Sequence, residues 1–591
     1  MNENQKKNDE LIRSWDLRYE NILKQRSTFD ELWRSLARYV LPNRPRFHSS
    51  DTNNGDGENR TKILDSTATF AVEIAKSGLL AGMASPSRPW FGLRADDPEL
   101  NEDPEVKQWL EDFRDAMLGV FERSNFYQSL GAMFQDELVF GTACMILLNH
   151  PEKTVRYEVF PIGSYALANS YDGRVDTFVR EYEMTVRQAA SEFGEENLSI
   201  HARNSIRQKQ MENRITIRHA IWPRTKHDKS SPYATDMPWA ELYWERKAGA
   251  GTREHTPNWG AAAGGGAQGG LLREGGYREF PVIAARWSRG DADIYATNCP
   301  CMIALGDIRM LQSETRKHLN ALDKEIDPPL LTSPELADEV VSLLPGAQTS
   351  DPGLASGKGT RPVHEINYPY QESRNERMET RDRIGKALMT NLFLMLLNDD
   401  RRTPATAEEV RARSAEKMTV LGPTMERHAD DVFGPVISRV SAMMIRDSQM
   451  YWELGMDGIV PMPPEQMQGQ DFKPVYVSEI AQAQKMSGLG TVERHVQFVG
   501  GMAQLEPSTL DIIDWDELVR EHAEVLGLPP KLTRDEDDVA DMRELRAQQQ
   551  AAAAQAEQAP AMAGAAKDLS QADIAGESAL EMMAREAGAV Q

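Results

Sequence analysis

Three stretches hold residue types that could do chemistry. The first, GLASGKGT from Gly353 to Thr360, has the outline of a phosphate-cradling loop. Such a loop needs four residues between its first glycine and the Gly-Lys pair, then Ser or Thr directly after the lysine. Here three intervene and Gly359 follows Lys358, so a flexible loop tip with a solvated Lys358 is the better reading. The second, Cys299-Pro300-Cys301, offers two thiols, whereas a structural zinc site wants four ligands, usually as two pairs. The chain has three cysteines, the third being Cys144, and His318 falls well along a helical pattern. A junction of small residues between strand and helix is the simpler account. The third is the polar loop NDDRRTPAT. Asp399 and Asp400 could bind a hard cation, but a carboxylate pair beside Arg401 and Arg402 is more often a solvated turn. Those two arginines leave two readings open: an exposed interhelical turn, or a loop that approaches a polyanion. Neither HExxH nor GxSxG occurs. The sequence therefore predicts no catalytic residues, no cofactor and no metal, and the chain reads as a non-enzyme.

The elements that would carry these residues follow from periodicity. Leu11, Trp15, Ile22, Phe29, Leu32, Trp33 and Leu36 predict a helix over 10–41, stopped by Pro42 and Pro45. Asp65 or Ser66 can cap a second helix, in which Ala71, Ala75, Gly78 and Gly82 permit close helix–helix approach. Two prolines then break the chain in SPSRPWFGL, and Trp90 and Phe91 follow at the start of a strand. They read as core or subunit-interface aromatics, with a ligand-stacking role as the alternative. Val106, Leu110, Phe113, Met117, Val120 and Phe121 predict helix over 104–140. Strands are predicted at VRYEVF, RVDTFVREYEM, NRITIRHAIW, WAELYWER and FPVIAARWSR, with a turn at Tyr171-Asp172-Gly173. Residues 247–270 are Gly/Ala-rich and read as a loop or insertion.

From Pro300 the texture is helical. Ile308, Leu311, Thr315, Leu319, Leu322 and Ile326 step by three or four until Pro328-Pro329. A second long helix is predicted over about 371–398, with Leu388 and Leu392 on its apolar face. A third begins with Thr406 and Glu409 as a capping box, and Pro423 and Pro435 should kink it. The tail beyond Arg534 is acidic, then Ala/Gln-rich, and reads as weakly helical or disordered.

The totals bound the class. A chain of 591 residues with 27% charged and 40% hydrophobic residues has an ordinary globular composition. Its net charge of −24 argues against a sequence-reading nucleic-acid binder, which carries a basic footprint. It leaves room for a protein that encloses nucleic acid. Three cysteines cannot build a disulfide framework, which suits a reducing compartment. No secretory signal is read in MNENQKKNDE, and the apolar run from Ala387 to Leu397 is too short for a bilayer, so no membrane association is expected.

Two stretches, taken in order, resemble a known family. One is ILDSTATFAVEIAKSGLLAGMASPSRPWFGL, preceded by FDELWRSLARYVLPNR. The other is YATNCPCMIALGDIRMLQSETRKHLNALDKEIDPPLLTS, followed at a distance by RRTPATAEEVRARSAEKMTVLGPTMERH. Together they resemble the portal proteins, or head-to-tail connectors, of short-tailed (podovirus-type) bacteriophages over most of residues 10–530. The resemblance implies a predominantly helical α+β portal-type fold and a dodecameric ring at one capsid vertex of the virion, assembled in the host cytoplasm. It implies an α/β wing over 1–290, a first stem helix over 291–326, a clip over 327–370 and a second stem helix over 371–398. A channel loop at 399–405, a kinked wing helix at 406–449, a helical crown at 450–540 and a low-complexity tail at 541–591 complete it. In that frame Ile308, Leu311, Leu319, Leu322, Leu388 and Leu392 pack the stem, Trp90 and Phe91 anchor the wing core, and Arg401 and Arg402 are candidates to face DNA. The implied partners are double-stranded DNA, terminase, the major capsid or scaffolding protein, and tail or adaptor proteins. A metal-dependent nuclease using Asp399 and Asp400, or a non-portal scaffold, is the alternative.

Overall fold

The computed structural model describes residues 3–42, 63–246, 270–331, 361–394, 422–476, 492–552, 573–574 and 577–578, apart from 102, 229–230, 232, 291–292, 364–367, 493, 503–507, 509–512, 527–533 and 535–538. The chain divides into two compact units, one of Met1–Asp96 and Trp109–Gln484, the other of Asp97–Gln108 and Lys485–Gln591. The predicted mixture of helix and strand is what the first unit contains.

Where the periodicity predicts one helix over 10–41, the chain forms two, α1 (Glu3–Ser27) and α2 (Asp30–Val40). The break has a cause at each side. Buried Arg26 donates to the carbonyls of Gly163 and Tyr165 at 2.7 and 2.9 Å, which stops α1 against a strand edge. Phe29 then turns inward, stacking on Trp33 at 5.3 Å and meeting Tyr295 at 5.6 Å. The helix α3 (Thr67–Met83) buries Ala71 and Ala75. Ser66 makes no side-chain cap; Asp65 Oδ1 accepts from the Thr67 N–H at 2.9 Å instead.

The helical stretch predicted over 104–140 consists of two helices, α4 (Pro104–Arg123) and α5 (Phe126–Phe140). Asn125 explains the interruption, because its side chain pairs with the backbone of Tyr157, donating at 2.7 Å and accepting at 2.9 Å. Serving a strand in this way is incompatible with continuing the helix. Eleven of the fifteen residues of α5 are buried, as expected for a helix packed on most of its faces. It ends at Gly141, whose φ of 78° lies in the left-handed region that glycine tolerates.

The strands assemble into two main antiparallel sheets. β2 (Thr142–His150) lies between β3 (Thr154–Phe160) and β9 (Val282–Arg286). A five-stranded meander runs β4 (Tyr165–Asn169), β5 (Val175–Thr185), β6 (Arg214–Pro223), β7 (Trp239–Glu245) and β8 (Leu271–Tyr277). Two short helices, α6 (Val186–Phe193) and α7 (Ile200–Arg207), fill the β5–β6 connection. Arg218 of β6 locks α1 onto this sheet, bonding Asp16, Glu20 and Glu181 at 2.8 Å each. β1 (Phe91–Ala95) pairs with the distant β12 (Phe472–Tyr476).

The long helix predicted from Pro300 is α8 (Pro300–Ile326), of 27 residues and about 40 Å. Beyond it, β10 (Leu330–Leu331) pairs with β11 (Arg361–Pro362). The return helix is shorter than predicted: α9 (Tyr370–Ala387) stops because Met389 adopts a φ of 56°, and one further turn, α10 (Thr390–Phe393), follows. Residues 422–453 then form one helical run containing a π turn, Ala429–Phe433, directly before Pro435 and the helix α11 (Gly434–Glu453). In the second unit the described elements include the helix Trp515–Leu526, and Asp516 there accepts a two-pronged ion pair from Arg543 at 2.5 and 2.7 Å.

Candidate functional site: an anchored helical hairpin

α8 and α9 pack as an antiparallel hairpin, and its base is fixed by polar contacts that periodicity does not reveal. Gln312, on the buried face of α8, closes on the backbone of the segment before α3. Its Oε1 accepts from the N–H groups of Leu64 and Asp65 at 2.8 and 3.1 Å, and its Nε2 donates to the Asp65 carbonyl at 2.6 Å. From α9, Arg381 reaches the same residue, donating to Asp65 Oδ2 at 3.0 and 2.7 Å. Burial disfavours the Asp65 charge, but donation from the Thr67 hydroxyl and N–H and from Arg381 outweighs it and holds the carboxyl below its ordinary range. Both rods of the hairpin are thus tied to one aspartate. Asp307 and Arg383 add a second link between the rods at 3.2 Å. At the end of α10, Phe393 lies so close to Gly78 of α3 that a Cβ there would overlap its ring.

The apolar stripe of α8 divides at this clamp. Ile308 and Leu311 are buried, as is Leu388 just after α9. Beyond Thr315 no residue of α8 is buried in the single chain. Leu319 is 42% exposed and Ile326 80%, facing solvent in company with Met378 of α9. Leu322 and Leu392 are half-buried. The intrachain core therefore covers Ile308, Leu311 and Leu388, while Leu319 is left 42% exposed. The cause is length: the last eleven residues of α8 extend about 16 Å past Thr315.

Trp90 and Phe91 sit in a closed aromatic box. Trp90 lies 4.7 Å from Phe91, 5.0 Å from Phe433, 5.8 Å from Phe121 and 6.0 Å from Phe126, between ring centroids. Phe91 is fully buried, and neither ring faces an opening for a ligand. The Cys299 thiol donates to the Val139 carbonyl at 3.3 Å and is pushed up to about 12 by burial; burial also raises Cys301 and Cys144. None of the three is a thiolate near neutral pH. Arg401, Arg402, Asp399, Asp400, Lys358 and the capping box at Thr406 lie outside the described residues.

Sequence reasoning missed one constellation with catalytic residue types. His219 Nε2 meets Glu241 Oε1 at 3.1 Å, and the Tyr277 hydroxyl donates to the same oxygen at 2.5 Å. Arg180 donates to His219 Nδ1 at 3.2 Å, which leaves the ring proton on Nε2. Burial pushes His219 down to about 4, so the ring is neutral. His219 and Glu241 are both buried in the five-stranded sheet, and Tyr243 stacks on the imidazole at 4.0 Å. The arrangement satisfies its own polar atoms and offers no face to a substrate. Among the described residues, no three His, Cys, Asp or Glu side chains are grouped to hold a metal ion, and no helix is long and apolar enough to cross a membrane.

Comparison with known proteins gives this geometry its context. The family model for bacteriophage head to tail connecting protein matches residues 13–533. The portal protein of Salmonella phage epsilon15 is 35% identical over 579 residues, 97% of this chain and 99% of that one. The probable portal protein of Bordetella phage BPP-1 is 34% identical over 568 residues, 96% and 97% of the two chains. A chain from the virion of a native gene transfer agent particle aligns over 84% of this chain and 94% of its own, at 13% identity and a TM-score of 0.32, too low to transfer any detail. These relatives do not support the nuclease alternative. With one family model spanning the two motif stretches and two portal relatives matched almost end to end, the chain belongs to the bacteriophage head-to-tail connecting proteins, the portal family.

Proposed function

We propose that copies of this chain close into a dodecameric ring at one capsid vertex of the virion, forming the channel through which double-stranded DNA is packaged and later ejected. Terminase docks on the ring during packaging, and tail or adaptor proteins replace it. The observation that carries this reading is the match, at 35% identity over 97% of the chain, to a phage portal protein. In this frame residues 1–290 are the wing, 291–326 and 371–398 the stem helices, 327–370 the clip, 399–405 the channel loop, 406–449 the kinked wing helix and 450–540 the crown.

Two physical features support it. The far half of the α8–α9 hairpin leaves Leu319, Ile326 and Met378 exposed, and a neighbouring copy related by rotation supplies cover without any new sequence. The net charge of −24 suits a conduit, because phosphate attraction adds up over contacts and a basic lumen would trap the duplex. Arg401 and Arg402, repeated around the ring, then act as the few cations that centre or retain DNA. Electron microscopy of the purified full-length chain tests the reading: closed rings with a central opening are expected. Solitary compact particles at every concentration would overturn it.

A further inference from the structure

The helical run 422–453 is held very unevenly on the two sides of its π turn. Downstream, α11 buries Val436, Ile437, Val440, Met443 and Met444, and Phe433 packs on Trp90 at 5.0 Å. Upstream, over residues 422–428, His428 alone is buried. A π turn is one extra residue wound into an α-helix, so expelling it rotates one flank against the other by about 100° and shifts it about 1.5 Å. The lightly held flank is the one that would move.

Four contacts from outside the helix pin the π form. His428 Nε2 meets Glu137 Oε2 of α5 at 2.8 Å, while its Nδ1–H donates to the Thr424 carbonyl at 2.6 Å. The Tyr476 hydroxyl of β12 donates at 3.1 Å to the Ala429 carbonyl, which also accepts the Gly434 N–H in the π bond. Gly434 eases the fit there, since a Cβ would lie 3.0 Å from that carbonyl and 3.2 Å from the tyrosine oxygen, both tight contacts. Arg286 of β9 faces Asp431 at the looser distance of 3.6 Å. Arg427 adds a bond to the Trp287 carbonyl.

We infer that Ala429–Phe433 is a register switch: the π turn can give way to a continuous α-helix, swinging residues 422–428 about 100° around the fixed axis of α11, with the His428–Glu137 contact as its latch. In the α register every upstream residue moves back one helical position. Ala429 takes the buried place of His428, and the imidazole leaves Glu137, whose other oxygen already has no hydrogen-bond partner. The inference concerns this chain's own helix and does not depend on what the upstream residues face in a ring.

The register is read by a thiol placed at 429, because Cys144, Cys299 and Cys301 are buried and silent. Residue 429 is half-buried in the π form and takes the His428 site in the α form. In full-length protein, adding His428→Ala to Ala429→Cys should slow maleimide labelling about tenfold. Unchanged or faster labelling overturns the switch, since simple loosening would expose the thiol. Deletion of Asp430 gives a reading with the latch intact. It removes the extra residue, so the protein should assemble as wild type does, with slower amide exchange over 429–434. Loss of folding on that deletion equally overturns the proposal.

Discussion

Gln312→Leu should free the base of the helical hairpin while leaving the remainder of the fold in place. The side chain is 5% exposed and serves three backbone groups: the N–H of Leu64 and both the N–H and the carbonyl of Asp65. Leucine fills a similar volume, so the cavity contribution is small. Each buried polar group left without a partner costs about 1–3 kcal/mol. Leu64 is exposed, so its N–H recovers water, and the groups of buried Asp65 do not, which places the loss near 3 kcal/mol. Since each 1.4 kcal/mol is about tenfold, the Leu64 and Asp65 amides should exchange about 100-fold faster, while those of α5 keep their protection. Hydrogen exchange followed by mass spectrometry on the intact assembly resolves the two peptides. Gln312→Glu is the sharper variant, because it sets a carboxylate oxygen against the Asp65 carbonyl where an N–H donates at 2.6 Å. Should Gln312→Leu exchange and melt as wild type does, Gln312 contributes nothing to holding the base of the hairpin.

Three further outcomes can be measured. Burial lowers His428, but the Glu137 charge and the bonds to Glu137 and Thr424 outweigh it, so its folded value lies above 6.5; the stability it gives is complete below 6.5 and is lost as pH rises through the raised value. Thermal melting should show that alkaline decline in the wild type and not in His428→Gln, while His219, pushed down to about 4 by burial, gives both proteins an opposite decline as pH falls from 6.5. Trp90→Ala opens the aromatic box and should cost about 3–5 kcal/mol in denaturant unfolding, with Trp90→Phe recovering most of it. Arg401→Ala with Arg402→Ala should leave assembly intact and reduce retention of packaged DNA, measured as nuclease-sensitive genome leaking from filled heads; unchanged retention removes the two arginines from the channel mechanism.

What the sequence discloses and what it hides divide along a physical line. α8 is legible from its repeat of Ile308, Leu311 and Thr315, from Pro300 in its first turn and from Pro328-Pro329 past its end. β3, β5, β6, β7 and β9 are legible as β-rich runs set between turn signals. Repetition lets a pattern survive one ambiguous residue. The contacts that position the hairpin do not repeat. Gln312 and Asp65 are 247 residues apart, His428 and Glu137 are 291 apart, and β1 pairs Phe91 with Tyr476. A hydrogen bond has one partner, and only the finished fold says where that partner is. The same distinction explains why periodicity does not mark the helix breaks: Asn125 and Arg26 look like ordinary polar positions until the strand backbone they serve arrives beside them. Leu319 marks the limit from the other side. Periodicity places it on an apolar face but cannot say whether its cover comes from the same chain, and this chain leaves it 42% exposed. An apolar stripe that outlasts its own core is therefore itself a signal of assembly, readable only when sequence pattern and single-chain burial are set against each other.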